Sequence, residues 1–328
     1  GGMSEEEQGK ALVQCYKDIM ASGCAGSVAF TWQDEWFKRT WNTMAYTDLT
    51  KTCYWSDYQT NEQYFGILSF DPGEVESVCY VDGDVSEWEE TDIVMETDTM
   101  SLSCKYDEKY VYFRVHKDDF HFGNETLYVP IDTTPKSGST ACDGIAPLFE
   151  QEADFVLIIS GREDTKILVQ ERYEALRAMY SQRVYGEDAY LNVPEKDTGK
   201  FVPIHLMLQV ANDPSFEITP EGFESAETFD TGTLTYGNGD EIEIRLPWSL
   251  LNFYNPSEMV IHDDYYENYG IEGIEISEMY AGVGTDANVQ FPIKMGTVEL
   301  KGWGTNPTWH ERLKQGYYDL QELWKDKD

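Results

Sequence analysis

The feature that most constrains this fold is a series of short alternating segments over residues 78–294. In residues 110–115 (YVYFRV) and 241–246 (EIEIRL), polar side chains alternate with aromatic or aliphatic ones. Such alternation places successive side chains on opposite faces of a strand, so that one face is buried and the other is wet. Turns rich in Asp, Gly and Pro separate the segments, as in antiparallel sandwiches. The sequence therefore predicts a mainly β protein with an antiparallel β-sandwich.

Nine segments carry the strand pattern. We predict strands at residues 100–106, 110–116, 126–132, 154–160, 166–170, 202–211, 241–247, 271–283 and 288–294. The segment 171–183 (ERYEALRAMYSQR) fits either a helix or a loop, and the sequence leaves both open.

Helical patterns flank the predicted sandwich. Ser4 and Glu7 form a capping-box pattern, and Gly23 ends the helix that follows. Residues 25–36 then predict a short apolar strand, which makes an N-terminal helix–strand unit like those of parallel sheets and barrels. Residues 307–325 predict a C-terminal helix whose apolar stripe suits docking on a core: Trp309, Leu313, Tyr317, Leu320 and Trp324. The expected divisions are 1–73, 74–300 and 301–328.

The charge of the chain restricts its partners. Asp and Glu number 61 against 24 Lys and Arg, which gives a formal net charge of -37. Such a surface repels phosphate backbones and anionic headgroups, so we expect no nucleic-acid partner. It suits hydrated cations such as calcium and neutral ligands such as sugars. The 22 Tyr, 9 Trp and 15 Phe residues supply rings that stack on sugar faces. No apolar stretch is long enough to cross a bilayer, so we expect no membrane insertion in this segment.

Several catalytic and metal-binding classes lack their motifs. Six cysteines occur without a CxxC pair, which excludes zinc-ribbon and thioredoxin chemistry and leaves disulfides and buried free thiols both open. No nucleophile elbow, P-loop or dinucleotide fingerprint is present. Asp34 and Glu35 are adjacent, so on a strand they point to opposite faces and cannot together flank one glycosidic bond. We expect this chain not to be an enzyme.

Four pieces of the sequence resemble one family in the family's own order. Residues 80–88 (YVDGDVSEW) resemble the Asp-Gly…Trp turn that opens family 9 carbohydrate-binding modules and their DOMON-like relatives. Residues 106–112, 131–135 and 245–251 are similar to the exposed hairpin, the Asp-containing strand end and the closing strand of that family. The resemblance implies a secreted or cell-surface sandwich that belongs to a larger bacterial glycan-processing protein.

A second resemblance concerns the N-terminal segment. Residues 30–36 (FTWQDEW) resemble the last strand of glycosidase-like (β/α)-barrels. This implies an upstream barrel whose final helix–strand unit is kept with the sandwich.

The family resemblance also implies candidate sites. Some members hold structural calcium, for which the acidic candidates are Asp82, Asp84, Asp107, Asp132 and Asp154. Trp88 and Trp248 match positions that are structural in the family. Sugar binding is expected from rings in loops between strands, with amides as polar partners: Phe122, Tyr190, Phe201, Phe216 and Tyr236, with Asn192, Asn212 and Asn238.

Two functions from different classes follow from the sequence. The first is a non-catalytic carbohydrate-binding or accessory module that recognises a neutral glycan by stacking. The alternative is a structural or interaction module that braces the upstream barrel and binds no sugar. Exposed aromatic pairs in one groove would favour the first function, whereas a groove filled by the protein's own loops would favour the second.

Overall fold

The structure of the chain is a computed structural model. It describes residues 5–38, 48–56, 63–81, 84–121, 124–136, 138–160, 166–173, 193–203, 240–262, 273–304 and 308–325, and the backbone of 218–219, 222–223 and 234–236.

Within these residues the chain forms two α-helices and nineteen strands. The helices are α1 (Glu5–Ala21) and α2 (Gln315–Lys325). The strands are β1 (Leu68–Pro72), β2 (Ile93–Glu96), β3 (Met100–Tyr106), β4 (Val111–Lys117), β5 (Leu127–Asp132), β6 (Phe155–Ile159), β7 (Lys166–Gln170), β8 (Phe201–Pro203), β9 (Ile218–Thr219), β10 (Gly222–Phe223), β11 (Leu234–Tyr236), β12 (Glu241–Leu246), β13 (Phe253–Asn255), β14 (Val260–His262), β15 (Gly273–Glu275), β16 (Glu278–Gly282), β17 (Gly284–Thr285), β18 (Met295–Glu299) and β19 (Trp309–Leu313).

The mainly β prediction is confirmed. In the described part of the chain, a five-stranded sheet has the order β11-β12-β4-β3-β2. A seven-stranded sheet has the order β18-β16-β5-β6-β7-β8, with β17 also paired to β5. The strand pairs in both sheets are antiparallel.

One core cluster lies between the two larger sheets. Phe113 of β4 and Ile244 of β12 come from the five-stranded sheet, and Val129 of β5 and Leu157 of β6 come from the other. Each of these side chains is 0% exposed. The alternation that the sequence shows in β4 and β12 therefore directs one face of the five-stranded sheet into a core that it shares with the second sheet.

The two ends of the chain form one structural unit, which we call the terminal unit (residues 5–38, 63–72 and 308–325). Strand β1 pairs with β19, so that Leu68 lies opposite Leu313. Helix α1 packs on α2 where a Cβ atom at Gly9 would lie 3.0 Å from the Cα atom of Gly316. The close approach of the two helices therefore depends on a missing side chain at each position. The segments predicted as the first and last divisions of the chain fold against each other.

Most predicted elements are confirmed, two do not form and two have other bounds. The N-terminal helix and the strands that became β3 to β7 and β12 form within a residue or two of the expected bounds, and the described start of 202–211 lies in β8. The strand expected over residues 25–36 does not form, because residues 25–30 are exposed and only an isolated parallel bridge joins Gln33 to Leu68. Residues 288–294 form bends and one isolated bridge, from Ile293 to Phe149, before β18.

The C-terminal prediction requires a further correction. The expected helix over residues 307–325 begins only at Gln315, and Trp309–Leu313 is strand β19. The stretch expected as one strand over 271–283 is divided into β15 and β16. Glu171–Tyr173 forms a short 3-10 helix, and residues 174–183 lie outside the described residues.

Candidate functional site

The predicted sugar-binding rings fall largely outside the described residues. Phe201 is described, and it lies on β8 rather than in a loop. It is partly buried against a second apolar cluster, which includes Phe149, Val156 and Leu168. Tyr236, also expected in a loop, lies on strand β11, and its side chain is not among those described. The remaining candidates also lie outside the described residues: Phe122, Tyr190, Phe216, Asn192, Asn212 and Asn238. Within the described residues, the structure therefore brings none of these candidates together, and the predicted sugar site stays a prediction.

The acidic candidates separate into turn residues and one close pair. Asp84 is exposed and accepts a hydrogen bond from the Ser86 backbone N–H at 3.0 Å. Asp107 accepts backbone N–H groups from Lys109 at 2.8 Å and Tyr110 at 3.0 Å, which fixes the turn between β3 and β4. Because both carboxylates accept backbone N–H groups within a turn, Asp84 and Asp107 are explained as turn-forming residues.

The close acidic pair is Asp132 and Asp154, which lie next to each other across β5 and the start of β6. Asp82 lies outside the described residues. Among the residues that are described, no group of three or more His, Cys, Asp or Glu is arranged to hold a metal ion. The four described acidic candidates therefore do not form one site.

A polar groove opens between β2, β3 and β18, where the edges of the two larger sheets meet. It encloses about 600 Å³. Its lining includes the ring of Tyr106 and the ion pair between Lys105 Nζ and an Asp92 oxygen, which are 3.1 Å apart. Thr297 and Glu299 line the opposite side and are exposed. The groove offers hydroxyl, ammonium and carboxylate groups beside one aromatic ring.

Asp34 and Glu35, the carboxylates considered for catalysis, are held inside the terminal unit. Asp34 Oδ1 lies 2.8 Å from Lys314 Nζ, and it accepts the Gly66 backbone N–H at 3.0 Å. Desolvation raises the pKa of Asp34 to about 6, although Lys314 lowers it. Glu35 lies 3.0 Å from Lys38 Nζ. Sequence reasoning missed Lys314, because only the pairing of β1 with β19 brings it to Asp34.

The terminal unit also exposes an apolar edge, which we define as Val28, Phe30, Trp32 and Phe65. Their exposed fractions are 98%, 57%, 56% and 49%. The Phe30 and Phe65 rings meet edge to face with centroids 6.3 Å apart. Residues 31–35 pair with residues 63–68 through backbone bonds such as Asp34 N–H to the Leu68 carbonyl at 2.9 Å. Val28, Phe30, Trp32 and Phe65 therefore remain exposed to water, although the backbone of residues 31–35 is hydrogen-bonded.

All six cysteines are free thiols in this structure, and three of them are buried as the free-thiol alternative expected. Cys79, Cys104 and Cys142 are buried, and Cys15 and Cys24 are exposed. Burial raises the pKa of the Cys142 thiol to about 12.

Comparisons with known proteins identify no relative. No family model, curated protein or solved structure matches this chain. Neither helix in the described residues has the length and apolar character needed to span a membrane.

Proposed function

We propose that this chain is a non-catalytic interaction module that braces another folded domain through the apolar edge of its terminal unit. The observation that carries this proposal is the exposure of Val28, Phe30 and Trp32 within five residues of the chain, with the Phe65 ring against that of Phe30. Contiguous exposed aromatic and aliphatic side chains mark interaction sites on soluble proteins. Burial of each such side chain stabilises a complex by about 1.5–3 kcal/mol.

A glycosidase-like (β/α)-barrel is the partner that this edge fits best. Residues 31–35 are held by hydrogen bonds to residues 63–68, as Thr31 N–H donates to the Phe65 carbonyl at 3.2 Å, and the rings of Phe30 and Trp32 stay exposed. A barrel domain would cover these rings, in keeping with the resemblance of residues 30–36 to a last barrel strand. A second copy is a poorer partner, because two chains of net charge -37 repel each other.

Site-specific photo-crosslinking in the source cells tests this proposal. A photoreactive amino acid at Trp32 should crosslink to residues of a (β/α)-barrel domain, identified by peptide mass spectrometry. The matched control is the same amino acid at Phe291, which is 76% exposed but lies outside the terminal unit. Equal crosslinking from both positions, or none from Trp32, would contradict the bracing function.

The groove favours a second function, the binding of a neutral glycan by the β-sheet region. Tyr106 provides a ring, and Thr297 and Glu299 provide exposed polar groups that suit sugar hydroxyls. Such a module would be accessory to a surface or secreted glycan-processing protein.

Affinity gels with neutral polysaccharides test the second function. Thr297→Trp fills the groove and should abolish retardation of the chain. Glu278→Trp is the control, because Glu278 is exposed on β16, lies opposite Glu299 and does not line the groove. Retardation of both variants like the wild type would rule out the groove as the binding site.

A further inference from the structure

A row of oxygen-bearing side chains crosses three neighbouring strands of the seven-stranded sheet. Ile131 pairs with Phe155, and Phe155 pairs with Val169. One residue further along, the Asp154 N–H donates to the Ile131 carbonyl at 2.9 Å, and the Gln170 N–H donates to the Asp154 carbonyl at 2.8 Å. Asp132, Asp154 and Gln170 are therefore cross-strand neighbours.

The three side chains lie on the face of the sheet opposite to the main core. Ile131, Phe155 and Val169 belong to the core between the sheets, and side chains alternate along each strand. The row therefore projects to the other face of the sheet, where the second apolar cluster lies, which includes Phe149, Val156 and Leu168. Cross-strand neighbours on one face have Cβ atoms about 4.5–5.5 Å apart, a distance that one ion can bridge.

Two oxygen atoms in this row lack a donor. Asp154 Oδ2 accepts the backbone N–H groups of Thr133 and Thr134, both at 2.8 Å, whereas Asp154 Oδ1 has no hydrogen-bond partner in the described residues. The Gln170 amide is oriented by its Nε2 group, which donates to the Gly138 carbonyl at 2.7 Å. This leaves Gln170 Oε1 without a partner among the described groups.

Burial makes these unpaired oxygens expensive. Asp154 and Gln170 are each 1% exposed. A buried polar atom without a partner costs about 1–3 kcal/mol, and more when the group is charged. A bound cation would give both unpaired oxygens a partner.

We propose that Asp132, Asp154 and Gln170 bind a divalent cation of the calcium type. Two carboxylates and an amide carbonyl are the hard oxygen ligands that Ca²⁺ prefers. Asp154 Oδ1 and Gln170 Oε1 would face the ion. The carboxylate of Asp132 would supply the second negative charge that balances the divalent cation. The ion would tie β5, β6 and β7 together at one end, beneath the segment that covers them. This proposal does not depend on the bracing or the glycan-binding function.

Chemical unfolding of the chelated chain at neutral pH tests this proposal, with CaCl₂ and MgCl₂ as the probes. We expect saturable stabilisation that follows the logarithm of the free calcium concentration once the site fills. Asp132→Asn should weaken the apparent calcium affinity at least tenfold. Asp84→Asn removes the same charge from an exposed turn and should leave the affinity unchanged, which controls for general screening of an acidic surface.

A second variant and a second measurement distinguish loss of the cation site from a folding defect. Gln170→Met keeps the size of the side chain but removes Oε1, and it should also weaken the calcium effect. In the wild-type chain, calcium should slow hydrogen exchange at the Thr133 and Thr134 amides, which donate to Asp154. Absence of saturable stabilisation, or an unchanged calcium effect in Asp132→Asn, would overturn the cation site and leave a shared proton between the carboxyl groups.

Discussion

Replacement of Lys314 by Met should strongly destabilise the terminal unit. The side chains of Lys314 and Asp34 are 3% and 1% exposed, and their charged atoms lie 2.8 Å apart. Lys314 Nζ also donates to the Tyr64 carbonyl at 3.2 Å. Removal of one partner of a buried ion pair leaves an uncompensated charge and costs about 3–5 kcal/mol. We therefore expect Lys314→Met to lower the free energy of unfolding by about that amount at pH 8.

The destabilisation caused by Lys314→Met should depend on pH. The folded-state pKa of Asp34 is already raised to about 6, and loss of Lys314 raises it further. A group with a raised folded pKa favours the folded state in acid, and this contribution is lost as pH rises through the folded pKa. The penalty of Lys314→Met should therefore be smaller at pH 5 than at pH 8.

Urea unfolding followed by circular dichroism measures both effects. The double variant Asp34→Asn/Lys314→Met removes both charges and should recover at least ~2 kcal/mol relative to Lys314→Met alone, because no unpaired charge remains buried. The reasoning is refuted if Lys314→Met lies within ~0.5 kcal/mol of the wild type at pH 8, or if the double variant is no more stable than the single one.

Three further predictions concern packing, a buried hydrogen bond and thiol reactivity. Gly9→Leu should lower the free energy of unfolding by about 1–3 kcal/mol in urea titrations, because α2 leaves no room for the side chain, whereas Gly26→Leu, in open space, should be neutral. Trp88→Phe should cost about 1.5–3 kcal/mol in the same titrations, since it removes the 2.8 Å bond from Trp88 Nε1 to the buried carboxylate of Glu243. Alkylation at pH 8 should leave Cys104 unmodified in the folded chain, because burial raises the pKa of its thiol, and rapid loss of this thiol by mass spectrometry would contradict the buried position.

Local pattern sufficed for elements whose own residues carry a clear period or cap. The alternation in β4 and β12 and the capping box before α1 each predict the element that forms. Strand β19 was mistaken for helix because Trp309 and Leu313 are four residues apart, a spacing that also fits one face of a helix. Its strand state depends on β1, which lies far away in the sequence.

The candidate sites show the same division between local and long-range information. Asp132 and Asp154 were named from the sequence, but Gln170 was not, because only the register of β7 on β6 brings it beside them. A weak signal existed, since a Gln ends the apolar run of β7. Residues 25–36 were expected as a short apolar strand, and nothing in their sequence reveals that Val28, Phe30 and Trp32 are exposed in the described chain.

Hydrogen–deuterium exchange over residues 25–36 tests the bracing function most directly. The measurement compares the isolated chain with the natural assembly purified from the source cells, with β4 as an internal reference. Residues 25–30 are exposed in this structure. We predict fast exchange there in the isolated chain and at least ~10-fold slower exchange in the assembly, which corresponds to about 1.4 kcal/mol of protection. Equally fast exchange in both samples would contradict the account.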